Sequence, residues 1–276
     1  MVSLGTYAET DINSDQAHPF VITGVVVNSG ASKMIDRFVT YLSQESGYPM
    51  RPVFVSTYSE LSSLLREHPY AVGWTCGAPF VEDNARDGQQ LLGIPLLNGK
   101  PLYDSLVIRA RGRTELFLAD FADQVFAYSD QRSNSSLLVP SYSLAQQGTD
   151  IRKHFRLLLH AGNHEHSIIA LLNGMADVAA IDEYVWIEYV KKHPRAGELL
   201  EVIERIGPYP FTPLVAGRSV SPATVDRLRA SLIGMQNSSR GKKFLEEFGF
   251  DGFVEEPVGF YQPIRDMMEM LNWPLD

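Results

Sequence analysis

Two stretches of this 276-residue chain concentrate side chains that could hold a small anion. In the first, Phe126–Pro140, a strand-like run ends at Tyr128 and Asp130 opens a polar loop. Ser133, Asn134, Ser135 and Ser136 then stand just ahead of Leu137-Leu138-Val139, where the next helix must start. Hydroxyl donors there lie beside unpaired backbone N–H groups and the positive end of the helix dipole. The combination suits a tetrahedral oxyanion. One Ser or Asn at a helix start is routine capping, but four consecutive small polar residues exceed what capping requires.

The second stretch is Leu157–Tyr184. His164 follows the Gly162-Asn163 turn at a helix start, where an imidazole can donate to an anion. His160 and His166 invite a metal reading, yet a helical ligand pair needs both imidazoles on one helix, and His160 ends the preceding strand. The expectation is a single functional His164 and no metal or cofactor. Asp182 closes a small-residue strand, where it either binds a ligand proton or caps the next helix; both readings stay open. Cys76, followed by Gly77, sits at the carboxyl end of an earlier strand, the edge at which α/β clefts form. It reads as a buried small residue or, more sharply, as a soft thiolate ligand for a metalloid.

The elements that would position these residues alternate in a βα rhythm. Phe20–Val27 is an apolar, β-branched strand with a turn at Asn28-Ser29-Gly30, and Lys33–Gln44 has helical spacing. Arg51–Val55 and Ala71–Trp74 read as strands, with a helix from Thr57 between them and a small-residue turn at Thr75–Pro79 after them. Ser105–Ala110 carries the chain to a second series: strands at Val125–Tyr128, Phe155–Leu159 and Val178–Ile181, and helices at Ser135–Gln146, His164–Asn173 and Asp182–Lys192. Glu201–Ile206 leads back to helices at Pro222–Met235, Gly241–Phe248 and Tyr261–Leu271. The predicted fold is a two-lobed α/β protein, each lobe a mostly parallel sheet flanked by helices. Residues 1–107 with 207–276 form one lobe, residues 108–206 the other, and the ligand cleft lies between.

Composition narrows the function. With 45% hydrophobic and 21% charged residues the chain can bury a sizeable core. A formal net charge of −9 argues against a nucleic-acid surface, while backbone N–H groups can still hold a small anion. No apolar run reaches the roughly 18 residues of a membrane span. Met1–Phe20 contains no apolar core of a secretory leader, and a single cysteine leaves no internal disulfide. There is no G-x-S-x-G elbow, H-E-x-x-H or phosphate-binding G-x-x-x-x-G-K-[ST] loop, so a binding protein is expected and not an enzyme; metal-dependent catalysis through the histidines is the enzyme alternative.

The motifs together resemble the phosphonate- and phosphate-type periplasmic binding proteins of ABC importers, which have the type II periplasmic-binding fold and include an arsenite-sensor subgroup. The family's D-x-x-S-[ST]-S-G…P pattern is matched by Asp130-Gln131-Arg132-Ser133-Asn134-Ser135-Ser136…Pro140. Its SGSHDASI…G-x-x-DAAAID pattern is matched by Ala161–Ile168 and Gly174–Asp182. The resemblance implies ligand contacts from Tyr58 and Tyr103, with first-lobe backbone near Cys76 and Gly77 closing over the anion. Two departures stand out: Ser136 replaces the family glycine, and Thr212 in Pro210-Phe211-Thr212-Pro213 replaces an acid that pairs with a ligand amine, favouring a smaller or uncharged-tailed anion. The implied partners are an ABC permease or, alternatively, a sensor kinase using Cys76 for arsenite-type ligands. The implied protein is a soluble periplasmic monomer whose leader is missing from this sequence.

Overall fold

The computed structural model describes residues 17–24 and 32–273. The Val25–Val27 end of the first predicted strand and the Asn28–Gly30 turn lie outside the described residues. The first run of elements is β1 (His18–Thr23), α1 (Ser32–Ser46), β2 (Met50–Val55), α2 (Tyr58–Glu67), β3 (Val72–Trp74), α3 (Gly77–Asp87) and β4 (Gln90–Leu96). The chain continues through β5 (Leu102–Ala110), β6 (Val125–Tyr128), a π-helical turn (Asn134–Leu138) running into α4 (Val139–Gln146), α5 (Ile151–His154), β7 (Leu157–His160), α6 (His164–Leu172), β8 (Val178–Asp182), α7 (Glu183–Lys192), α8 (Pro194–Leu199) and β9 (Leu200–Pro210). It returns as β10 (Leu214–Ala216), α9 (Pro222–Ile233), α10 (Ser239–Phe248), β11 (Gly252–Val254) and α11 (Gln262–Leu271).

The strands form two sheets, ordered β11-β4-β10-β3-β1-β2 and β7-β6-β8-β5-β9. In each, three strands pair in parallel around a central one, β1 between β2 and β3, and β6 between β7 and β8. Phe20, Val21 and Ile22 of β1 are fully buried, as a strand covered on both faces requires. Antiparallel strands complete the sheets: β10 between β3 and β4, β11 beside β4, and β5 between β8 and β9. Sequence reading passed over β4, β10 and β11.

The crossings between sheets differ from the expected cuts at 107/108 and 206/207. Those cuts fall inside β5 and β9, which lie wholly in the five-stranded sheet and pair along their length, from Leu102↔Pro210 to Ala110↔Leu200. A boundary there would break a continuous hydrogen-bond ladder. The chain crosses instead at residues 97–101 and 211–213. Tyr103 therefore belongs to the second lobe.

Local chemistry explains where helices begin. Thr57 caps α2 by accepting from the Glu60 N–H, and Asn163 caps α6 through His166 N–H. Gly88 ends α3 in the left-handed conformation at φ +70°. The segment Thr75–Pro79, expected as a turn, is the start of α3: Cys76 is its N-cap, and Pro79 is accommodated in the first turn, where its missing N–H has no helical acceptor.

The first lobe is centred on aromatic packing. Phe38 of α1 sits 5.1 Å from Phe248, 6.1 Å from Phe20 and Phe244, and 6.2 Å from Trp74, ring centroid to centroid. Terminal α11 packs on both α3 of the first lobe and α4 of the second. Because Phe38 is completely buried among four aromatic rings, Phe38→Ala is expected to cost about 3–5 kcal/mol of unfolding free energy. Urea denaturation measures it; a loss below about 1 kcal/mol would mean that this cluster does not hold the lobe together.

Candidate functional site

The carboxyl ends of β3, β6 and β8 and the hinge end of β5 bring the predicted site residues together, all of them buried. At the end of β6 the chain turns through Ser129 and Asp130 into the π-helical turn. Leu138 N–H donates to Ser133 C=O at 3.1 Å, five residues back. The wider ring postpones the first helical hydrogen bond, so more N–H groups lie open at this end than in an ordinary α-helix. Two of them are engaged: Ser136 N–H donates to Ser133 Oγ at 3.2 Å and Asn134 N–H to Cys76 Sγ at 3.4 Å. Ser133 is thus an N-cap.

The other small polar residues divide their roles. Ser136 Oγ accepts from Ser129 N–H at 3.1 Å and lies 2.7 Å from Ser129 Oγ, which closes the loop. Ser105 Oγ donates to Ser135 C=O at 2.6 Å. One end of the Asn134 carboxamide, Nδ2, donates to Tyr103 Oη at 3.0 Å. Its other end, Oδ1, is buried with no partner, and Ser135 Oγ lies close to the Tyr103 hydroxyl without a hydrogen bond of good geometry. Buried polar groups are normally satisfied, and an orphan costs about 1–3 kcal/mol. The hydroxyl of Thr75, which sequence reading did not single out, is a third orphan, one residue before Cys76.

His164 and Asp182 form the adjoining wall. His164 Nδ1 accepts from Asp182 N–H at 3.3 Å, so the ring proton sits on Nε2, 3.5 Å from Ser129 Oγ. Burial lowers the His164 pKa to about 3, leaving a neutral imidazole. Asp182 Oδ1 accepts from Tyr184 N–H at 2.9 Å and Val185 N–H at 3.4 Å, capping α7. Burial nevertheless pushes its pKa up to about 7, because these two N–H bonds offset only part of the desolvation.

From the first lobe come Tyr58, at the start of α2, and Cys76 and Gly77, at the start of α3. Burial raises Cys76 to about 11, so it is a thiol at neutral pH in the free protein. A Cβ at Gly77 would lie 2.5 Å from Ile264 Cδ1, so this glycine lets α11 approach closely. Tyr58 and Tyr103 are both raised well above the ordinary tyrosine range, first by burial, and both stay protonated donors. His160 stacks on Tyr128 and His166 bonds Asn163 and the Ala161 carbonyl, apart from His164. Among the described residues no group of three His, Cys, Asp or Glu side chains could hold a metal ion.

Contacts across the cleft join the lobes. Tyr58 N–H donates to Asp130 Oδ2 at 3.3 Å. Arg132 reaches from the second lobe to Glu82 Oε2 (2.5 Å) and Asp83 Oδ1 (2.9 Å) on α3, and to the Ser62 hydroxyl on α2. Sequence reading passed over Arg132 as part of a polar loop, because its partners lie about fifty residues away in the chain.

Comparison with known proteins agrees with this architecture. The family described as ABC transporter, phosphonate, periplasmic substrate-binding protein matches residues 27–256. The phosphonates-binding periplasmic protein of Escherichia coli is 23% identical over 235 residues, covering 83% of this chain and 69% of that protein. A probable ABC transporter phosphite-binding protein of Prochlorococcus marinus is 24% identical over 154 residues, covering 53% of this chain and 52% of its own length. Among solved structures, a binding protein component of an ABC phosphonate transporter from Pseudomonas aeruginosa superposes with a TM-score of 0.84 at 22% identity, covering 93% of this chain and 86% of that one. Prochlorococcus marinus PhnD1 in complex with methylphosphonate gives 0.83 at 18% identity, covering 93% and 98%. The fold is that of the type II periplasmic binding proteins, and with 27–256 matched the chain belongs to the family of phosphonate periplasmic substrate-binding proteins of ABC transporters.

Proposed function

We propose that this chain captures a small phosphonate-class oxyanion between its lobes and delivers it to an ABC permease. The observation that carries the reading is Ser135 Oγ, a hydroxyl donor buried at an open helix start beside two protonated tyrosines; Asn134 Oδ1, an acceptor, would be satisfied only by an O–H of the ligand. A ligand there would satisfy groups that otherwise remain unpaired. The anion docks on the Ser133–Ser136 turn, and Tyr58 with the start of α3 closes over it from the first lobe. Tyr103 contributes from the second lobe.

Thr212, where the family places an acid, is occupied: its Oγ1 accepts from Trp74 Nε1 at 3.3 Å. The absence of a carboxylate at that position supports an anion with an uncharged tail, and methylphosphonate, the ligand of the Prochlorococcus relative, is the natural probe. The relatives are named for transport, which favours import over the sensor alternative. Their periplasmic placement supports the same compartment for this protein, which on our reading works there as a passive receptor and a monomer. No helix among the described residues is long and apolar enough to cross a membrane.

Two mutants separate binding from folding. Ser135→Ala removes a hydroxyl with no hydrogen bond of good geometry in the free protein, so stability should hold within about 1 kcal/mol, while methylphosphonate affinity falls about ten- to a hundredfold. Ser133→Ala removes the cap and is expected to cost about 1 kcal/mol of stability. Calorimetry and melting on the same samples read both; unchanged affinity in Ser135→Ala would remove the anion from this turn. Closure is tested separately. Arg132→Ala deletes the bridge to Glu82 and Asp83 and should speed methylphosphonate release about tenfold or more in stopped-flow measurements, with a smaller change in association. Equal release rates would mean that the arginine does not hold the lobes shut.

A further inference from the structure

Building on that reading, we propose that the cleft takes its oxyanion with a proton, shared between Asp182 Oδ2 and a ligand oxygen. The site thereby selects weakly acidic oxyanions over isosteric ones that carry no O–H.

The first ground is an absence of available cations. None of the chain's 24 Lys and Arg residues falls in residues 1–16, 25–31 or 274–276, so all of them are described. Arg109 is the only buried one among them, and it pairs with Glu201 at 2.9 Å. Arg132 touches the Tyr58 carbonyl at 3.5 Å, but its charge is committed to Glu82 and Asp83. His164 is neutral. What surrounds the anion is a set of uncharged donors, suited to one negative charge and poorly suited to two.

The second ground is the placement of Asp182. Its Oδ1 is spent on capping α7, and no described residue donates to Oδ2. The groups facing it are Tyr58 from α2, Cys76 at the start of α3, Tyr103 on β5, His164 from α6, and Glu183 and Tyr184 of its own helix. None is cationic. An ionised Asp182 beside a bound anion would put two like charges in one dry pocket, which disfavours ionising both. A single proton on the line between them removes the conflict and makes a charge-assisted hydrogen bond. That Asp182 already titrates at about 7 in the free protein supports the same arrangement.

The sign of the pH dependence follows. Below both the ligand's second pKa and that of Asp182, free ligand and free protein each carry a proton while the complex keeps one. Binding there releases a proton and affinity rises about tenfold per pH unit; between the two pKa values the count matches and affinity is flat. Above both, free ligand and free protein are each deprotonated, so binding must take one proton from solvent, and affinity falls about tenfold per pH unit. Methanesulfonate, a shape analogue with no acidic O–H, depends wholly on a proton carried by Asp182.

The test is calorimetry of wild-type protein with methylphosphonate and methanesulfonate at about pH 6 and about pH 9, in paired buffers of different ionisation enthalpy. The expected result is uptake of about one proton per methylphosphonate at the higher pH, with methanesulfonate losing at least tenfold in affinity between the two. Asp182→Asn keeps an oxygen for the α7 cap and puts a donor at the second position. It should flatten the methanesulfonate profile and narrow the preference for methylphosphonate by about tenfold or more. Binding by the wild type without proton uptake, or a methanesulfonate affinity unchanged with pH, overturns the inference and leaves the proposed binding function standing. Failure of the wild type to bind either anion at any pH removes both.

Discussion

Arg132 leaves the second lobe one residue before the Ser-rich turn and ends among Glu82, Asp83 and Ser62 of the first. Asp83 is wholly buried, and a buried carboxylate is tolerable only when it is paired and hydrogen-bonded. Desolvation acts to lower the Arg132 pKa, yet Asp83 and Glu82 outweigh it and hold the guanidinium above its ordinary value. The same arginine fixes the approach of α2 and α3 to the turn that carries Ser133, Asn134 and Ser135. Asn134 N–H can reach Cys76, and Asp130 can reach the first N–H of α2, only while that approach holds. The arginine bridge is one of the contacts that bring the lobes together over the cleft, with Tyr58 on Asp130, Asn134 on Cys76 and α11 on both lobes.

Spending the local cation on the lobe contact shapes the chemistry that remains. An anion in this site must be met by dipoles: open N–H groups of the π-helical turn, phenols kept protonated by burial, and hydroxyls. Such groups are worth more away from water than in it, and they need not rearrange as the ligand enters. A chain with a net charge of −9 can therefore bind an anion without an electropositive surface. The arrangement also makes the pocket sensitive to total charge. One buried acid, Asp182, is enough to make the ligand's protonation state matter.

Much of this was legible in the sequence. The βα rhythm, the helix start at Ser133–Ser136 and the boundary position of Asp182 all rest on local signals, and local signals survive folding well. Asp182 was read as either a cap or a proton ligand; Oδ1 fills the first role and Oδ2 is left for the second. The antiparallel strands were less visible. β10 and β11 are three residues each, and Leu214–Ala216 is buried throughout, so neither offers an alternating pattern. Ser133 and Ser135 look alike in sequence and differ in structure, because a π-helical turn cannot be told from an α-helical one by residue type. Arg132 was hidden for another reason: an ion pair across two lobes leaves no spacing to detect.

The same geometry ties the hinge to the site. β5 and β9 pair along their whole length, so the two crossings lie side by side, and Phe211 N–H donates to Pro101 C=O at 2.9 Å between them. Tyr103 stands one residue inside β5, its ring 5.2 Å from Phe211 and its hydroxyl on Asn134. Any rotation of the lobes would concentrate in these few residues, since bending elsewhere would break sheet hydrogen bonds. Tyr103 is thus anchored on the rigid side of the hinge, next to the segment that must turn. On the proposed reading, a ligand oxygen on Tyr103 would be held by a group fixed to Asn134, and the pair would not move apart as the lobes close. The moving contacts would be Tyr58 and the start of α3. Affinity would, on the same reading, divide along the hinge: the second lobe would supply a preformed anion cradle, and the first lobe the contacts that slow release.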